Sequence, residues 1–200
     1  MSRDDAEDVN SFAAAKISDQ ASVIGTLVSA FIGDPVERWL WPKAQQYLTH
    51  FPTFVAAFGA EAFTLQTVWT LDGFAAVAWW MPPGVEPDGE AIVAELTRSV
   101  APHKHEATFA ILEQMDAAHP KEPHWYLPWL GVDSPHRGAG LGGRLLTRCL
   151  EVIEEDHLPA YLDTPNPRTI PFYESHGFEV TTVARAGDCP PVTSLLRAAR

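Results

Sequence analysis

Arg137, Gly138, Ala139, Gly140, Leu141, Gly142 and Gly143 form the stretch of this sequence best suited to hold an anion. Arg137, Gly140 and Gly142 stand at the spacing R-x-x-G-x-G, where an apolar strand pattern at 124–132 gives way to a helical one at 140–157. Glycines let a backbone approach a ligand closely and adopt positive φ without a Cβ penalty. The free amides of such a loop and of the helix behind it converge on one point, which suits a phosphate or pyrophosphate. Arg137 and Arg144 can add charge there. The glycines are not spaced as in a P-loop. Nor does an acidic residue follow about 20 positions on at a strand end, as a dinucleotide site would require.

A second segment, 159–180, carries the other chemistry-bearing residues. A short strand ends near Asp163, a Pro/Asn loop holds Asn166, and a short helix over about 167–176 carries Tyr173 and closes at Gly177. The block F-Y-E-S-H-G-F occupies 172–178, and Asn166 stands seven residues before Tyr173. Together with R-G-A-G-L-G at 137–142, these residues resemble the GNAT superfamily of N-acetyltransferases. Over 119–178 the resemblance runs towards its puromycin N-acetyltransferase-like members.

The resemblance implies an α/β (α+β) fold. Its sheet is mixed and mostly antiparallel, of six to seven strands, with helices on both faces and a splayed parallel strand pair that holds acetyl-CoA. It places backbone groups of Leu130, Gly131 and Val132 against the pantetheine arm. The loop from Arg137 to Gly143 falls on the pyrophosphate, and Asn166 falls among the cofactor contacts. Tyr173 matches the general acid, since a phenol with a pKa near 10 is protonated at neutral pH and can donate. The implied reaction transfers acetyl from acetyl-CoA to the primary amine of a small molecule by direct attack. Alternatives are a protein or peptide N-terminal acetyltransferase and a non-catalytic acyl-CoA sensor. Members of the family often dimerise, so a homodimer is an expectation.

The base is less defined. The strand at 124–132 has no acid in its core, which leaves Glu122, His124 and Asp163 as candidates; Asp163 ranks first and His124 second. Pro128 cannot donate to a ladder and therefore predicts an edge or a bulge within that strand. A backbone N–H freed near Trp129–Leu130 would be the natural group to polarise a thioester carbonyl.

The elements that must position these groups follow from periodicity. Phe12 to Ile17 reads as a strand, and Ser18 or Asp19 as the cap of a helix bearing Val23, Ile24, Leu27, Val28 and Phe31 on one face. Gly33-Asp34-Pro35 breaks that helix. A short helix or turn with Trp39 and Trp41 follows, then a helix at 43–58. Phe63 to Thr70 and Phe74 to Met81 read as a hairpin turned at Asp72-Gly73. Two helices at 88–100 and 103–118 precede the central strand, and strands at 178–184 and 192–196 end the chain. In the resembled fold the segment between the first two strands walls the acceptor pocket. Trp39 and Trp41 are therefore substrate-contact candidates. Trp79 and Trp80 end the 74–81 strand facing opposite sides, so at most one of them can face a pocket, and Trp80 is the third candidate.

Composition bounds the rest. With 200 residues, 46% of them hydrophobic, the chain is expected to form one domain over 10–200 behind an acidic tail at 1–9. A formal charge of −12 argues against nucleic-acid and anionic-membrane partners. Residues 1–120 carry 16 acidic and 6 basic side chains, against 10 and 8 in 121–200, so either a cationic substrate is tolerated or drawn in, or the charge simply keeps the protein soluble. His103, His105 and His119 lack any metal-binding spacing, and Cys149 and Cys189 fit neither a metal site nor a disulfide framework. With no signal-peptide core and no long apolar run, the protein is expected to be cytoplasmic.

Overall fold

Alternation of apolar residues and a run of turn signals build one seven-stranded sheet in the computed structural model, which describes residues 11–200. The expected tail at 1–9 lies outside the described residues. The strands are β1 (Phe12–Ala14), β2 (Val68–Leu71), β3 (Ala76–Met81), β4 (Trp125–Val132), β5 (Ala160–Thr164), β6 (Glu179–Ala184) and β7 (Val192–Arg197). Their spatial order is β1-β2-β3-β4-β5-β7-β6, and every pairing is antiparallel except β4 with β5. The helices are α1 (Gln20–Phe31), α2 (Pro35–Leu40), α3 (Ala44–Ala56), α4 (Glu61–Thr64), α5 (Gly89–Ser99), α6 (His105–Ala118), α7 (Leu141–Ile153) and α8 (Ile170–Glu174).

Two apolar cores flank the sheet. One face carries Val68, Val77, Trp79, Met81 and Trp129 against Val23 and Leu27 of α1, Tyr47 and Phe51 of α3, and Leu96 of α5. The other carries Trp69, Ala76, Ala78, Trp80, Trp125 and Leu127 against Leu141, Leu145, Leu146, Cys149, Leu150 and Ile153 of α7. With helices on both faces, every residue of β2 and β3 is buried, as expected of strands in the middle of a covered sheet. Asp72 and Gly73 both take positive φ in the tight turn between them, as the sequence predicts.

Two boundaries differ from expectation. Phe63 lies not in a strand but in α4, a single turn that packs it edge-on against Trp79 at 4.8 Å. Aromatic side chains suit strand and buried helix alike, so tertiary packing decides. Asp19 does not cap α1 with its side chain; its carboxylate instead accepts the Lys16 amide at 2.8 Å in a preceding 3₁₀ turn.

The strand that positions the site is β4. Its pairing with β3 runs Trp79↔Trp129 and then Met81↔Tyr126, so β4 holds one extra residue between those two pairs. This is a bulge at Leu127-Pro128, and it reverses the phase of the side chains. Tyr126 and, after the bulge, Trp129 both face the α1/α3 core, whereas Leu127 and Leu130 face α7. Pairing with β5 covers only Trp125↔Ala160, Tyr126↔Tyr161 and Leu127↔Leu162. Beyond Leu127 the two strands diverge, and Asp163 and Thr164 pair with β7 alone.

Candidate active site

The divergence of β4 from β5 opens into a cavity of about 810 Å³. Its floor is the backbone of β4 from Tyr126 to Val132, and its far wall is Asp163, Thr164, Pro165 and Asn166. Half of the peptide groups beyond Leu127 project towards this opening with no strand to receive them. The glycine loop borders one end. Gly138 and Gly140 take φ of 80° and 77°, a conformation that disfavours side chains, and Gly140 stands at the N-cap of α7. Arg137, Gly138 and Gly142 line the cavity. Ala139, Gly140 and Gly143 complete the loop and first turn, while the Leu141 side chain turns inward to the α7 core.

Arg137 also has a structural task. Its guanidinium donates to the carbonyls of Ser29 and Ala30 in the last turn of α1, where a cation is favoured. The Ser29 hydroxyl donates to Asp133 at 2.6 Å, and the Ser134 amide bonds the Ser29 oxygen at 3.1 Å. The loop and the end of α1 are thus one unit. Arg144 pairs instead with Asp72 at 3.9 Å.

Tyr173 lies on α8 and lines the cavity with Phe172 and Thr169. Burial, and then the charge of Asp34, hold its hydroxyl protonated far above the usual phenol range. Asn166 both lines the cavity and makes its turn: its side-chain oxygen accepts the Arg168 amide at 3.1 Å. Asp163 reaches the cavity as well, but Oδ1 is already engaged by the Tyr161 hydroxyl at 2.9 Å and the Ser194 hydroxyl at 2.7 Å. Burial raises its pKa to about 6.

Four other candidates are placed elsewhere. His124 sits at the N-terminal end of β4, before the bulge, with Nε2 2.8 Å from Nε2 of His119 and Nδ1 2.8 Å from the Glu122 carbonyl. It is not among the cavity-lining residues, and exposed Glu122 is with it at that end. Trp41 is fully buried, donating from Nε1 to Ser99 at 3.0 Å and packing on Phe51 and Phe54. Trp80 is fully buried in the α7 core, on the side of the sheet away from α1 and α3. Both tryptophans therefore pack the cores. Trp39 does line the cavity, with the Lys104 ammonium 4.8 Å over its ring.

The helix-walled side of the cavity contains residues that sequence reasoning missed. Trp129 lines it and is ringed by Phe31, Phe51, Phe54 and Phe58 at centroid distances of 5.0–5.9 Å. Beside this aromatic wall stand two carboxyl side chains, Asp34 and Glu37, exposed by only 7% and 5%. Asp34 caps α2 by accepting the amides of Val36 and Glu37 at 3.0 and 3.3 Å. Among the described residues no group of His, Cys, Asp or Glu could hold a metal, and no helix is long and apolar enough to cross a membrane.

Residues 36–178 match the family model of the GNAT acetyltransferases, which spans from α2 through α8 and so contains most of the cavity wall. This chain belongs to the GNAT acetyltransferase family. An uncharacterized N-acetyltransferase of Schizosaccharomyces pombe is 24% identical, over 80% of this chain and 70% of that protein. Among solved structures, the fold is similar to that of a protein described as histone acetyltransferase HPA2 and related acetyltransferase from Corynebacterium glutamicum. The TM-score is 0.65, with 20% identity and coverage of 96% of this chain and 97% of the other. A polyamine N-acetyltransferase of Drosophila melanogaster gives 0.64 at 14% identity, covering 94% and 99%. An arylalkylamine N-acetyltransferase of Aedes aegypti also gives 0.64, at 13% identity, covering 96% and 99%. As a GNAT enzyme the chain is an N-acetyltransferase, with the mixed, mostly antiparallel sheet and the parallel strand pair expected of it.

Proposed function

We propose that residues 10–200 form one catalytic domain that transfers acetyl from acetyl-CoA to the primary amine of a small molecule. One observation carries this reading: a single cavity joins the opening between β4 and β5 to a compartment walled by α2, α3, α5 and α6, with Tyr173 in its lining. The first part fits acetyl-CoA, because β4 from Leu130 to Val132 has no strand on its β5 side and can hydrogen-bond an extended pantetheine arm there, and the amides at Gly138–Gly143 can receive its phosphates. The helix-walled second part favours a small acceptor over a polypeptide, which needs an open groove.

Acetyl-CoA supplies an activated thioester, and the chain supplies four things. A backbone N–H freed just past the bulge, near Trp129–Leu130, polarises the carbonyl from a fixed position, at no cost in reorganisation. Tyr173 keeps its proton at every physiological pH and delivers it to the departing sulfur. The aromatic wall around Trp129 holds the acceptor in line and excludes water. A carboxylate in the cavity, with Asp163 the first choice from sequence, assists loss of the amine proton.

Tyr173→Phe tests the assignment. Turnover, followed as CoA thiol release, should fall by about 10²- to 10⁴-fold. The rise in melting temperature on adding acetyl-CoA should be unchanged. Full activity in this variant would overturn the acid role, and absence of any acetyl-CoA shift in the wild type would overturn the cofactor. The acceptor panel should contain aryl- and alkylamines, polyamines, puromycin and short peptides with free N-termini.

A further inference from the structure

Glu37 is a buried carboxyl group in the cavity wall with an unsatisfied oxygen. Its side chain is 5% exposed, and Oε2 is buried without a hydrogen-bond partner. A carboxyl group left in that state costs several kcal/mol unless a ligand meets it or it remains protonated. The neighbouring groups do not relieve it. Asp34, the adjacent acid, spends its Oδ1 on the α2 amides. The Tyr47 hydroxyl on α3 donates to the Val28 carbonyl at 2.8 Å. The Arg38 guanidinium lies over the Tyr47 ring and bonds the Pro42 carbonyl at 2.6 Å. Lys104 donates to the Trp39 carbonyl. Among the described residues neither Asp34 nor Glu37 has an ion pair.

We propose that Asp34 and Glu37 form a receptor for a cationic ammonium group, and that the acceptor is a monocation with an aryl or alkyl body lying against Phe54, Phe58 and Trp129. This deepens the acetyltransferase reading and rests on it. A cation beside Glu37 finds the missing partner for Oε2 and a second negative charge at Asp34. Asp163 does not compete for this role, since two hydroxyls already satisfy its Oδ1. The charge felt at the Tyr173 hydroxyl is that of Asp34, which places the receptor on the reacting side of the cavity. Burial, and then the charge of Asp34, raise Glu37 well above the usual carboxylate range, which favours its protonated form without ligand. A permanent cation should therefore displace that proton on binding: the carboxylic O–H breaks, the proton passes to buffer, and the carboxylate pairs with the ligand.

The probe is phenethyltrimethylammonium, which carries no N–H and cannot be acetylated. Binding to the protein without acetyl-CoA is followed by calorimetry at pH 7 in two buffers of different ionisation enthalpy. The expected result is saturable binding accompanied by proton release. Glu37→Gln should bind at least about tenfold more weakly and release none. The uncharged 2-phenylethanol should bind the wild type weakly and without proton release. Absence of probe binding to the wild type, equal affinity in Glu37→Gln, or equal affinity for the alcohol would each overturn the proposal. None of these outcomes touches the acetyltransferase reading, which stands or falls on the acetyl-CoA shift and thiol release.

Discussion

Asp163 and Glu37 are both carboxyl groups lining one cavity, yet their partners separate them. Asp163 keeps two hydroxyl donors, and burial still raises its pKa to about 6. The folded state thus binds a proton there more tightly than the unfolded chain, in which an aspartate titrates near 4. Between those two pH values stability contributed by the protonated form is lost as pH rises, and above about 6 the cost is fully present. Asp163→Asn should remove that slope, which for one group approaches about 1.4 kcal/mol per pH unit inside the window. Denaturant unfolding of both proteins between pH 4 and 7 measures the difference, and Asp34, which titrates in the same direction, cancels from it. Parallel profiles would show that Asp163 is not held in its neutral form. At this scale the sequence speaks clearly for Tyr173 and Asn166, which sit in a contiguous motif. It says little of Asp34 and Glu37, because an Asp before Pro and a Glu in the first helical turn read as ordinary capping and dipole residues. Their second role exists only once α2 and β4 line the same cavity. Trp41 and Trp80 err in the opposite sense, since a large aromatic satisfies a core as readily as a ligand site.

At the scale of elements, what was legible was local. The Pro128 bulge, the Asp72-Gly73 hairpin, the glycine loop and the α7 stripe each follow from a few adjacent residues. The packing of α1 on β4 was not, and it depends on Gly131. A Cβ at Gly131 would stand 2.8 Å from Cβ of Ala30 and 3.0 Å from Cδ2 of Leu27, closer than carbon atoms pack. Glycine at this position therefore serves the helix as much as any ligand of the β4 backbone. Gly131→Ala should push α1 outward and cost about 1–3 kcal/mol by overpacking. Because α1 leads through Ile32 and Gly33 directly into Asp34, the displacement should reach the acceptor subsite. The KM for the amine should rise more than the KM for acetyl-CoA, whose contacts with backbone beyond the bulge survive the change. Equal changes in both, or no loss of stability, would show that α1 can yield without moving α2.

For the molecule as a whole, the two halves of the cavity sit in different electrostatic surroundings. Residues 1–120, which supply Asp34 and Glu37, carry 16 acidic and 6 basic side chains, and 121–200, which supply the glycine loop, carry 10 and 8. Long-range attraction therefore favours a cation at the acceptor side, while the net charge of −12 opposes the approach of an anionic cofactor. Added salt screens both fields, since the Debye length shrinks from about 10 Å at 0.1 M to about 3 Å at 1 M. The two substrates should consequently respond with opposite signs. Between low and high sodium chloride, the KM for a monocationic amine should rise several-fold, while the KM for acetyl-CoA should stay level or fall, with kcat little changed. Steady-state kinetics with each substrate varied at saturation of the other reads both effects from one protein. If acetyl-CoA weakened with salt as steeply as the amine, local cations at the loop, Arg137 foremost, would outweigh the field of the whole chain. If the amine did not respond, the acidic first half would act in solubility and not in capture, leaving Asp34 and Glu37 to attract the acceptor only at contact.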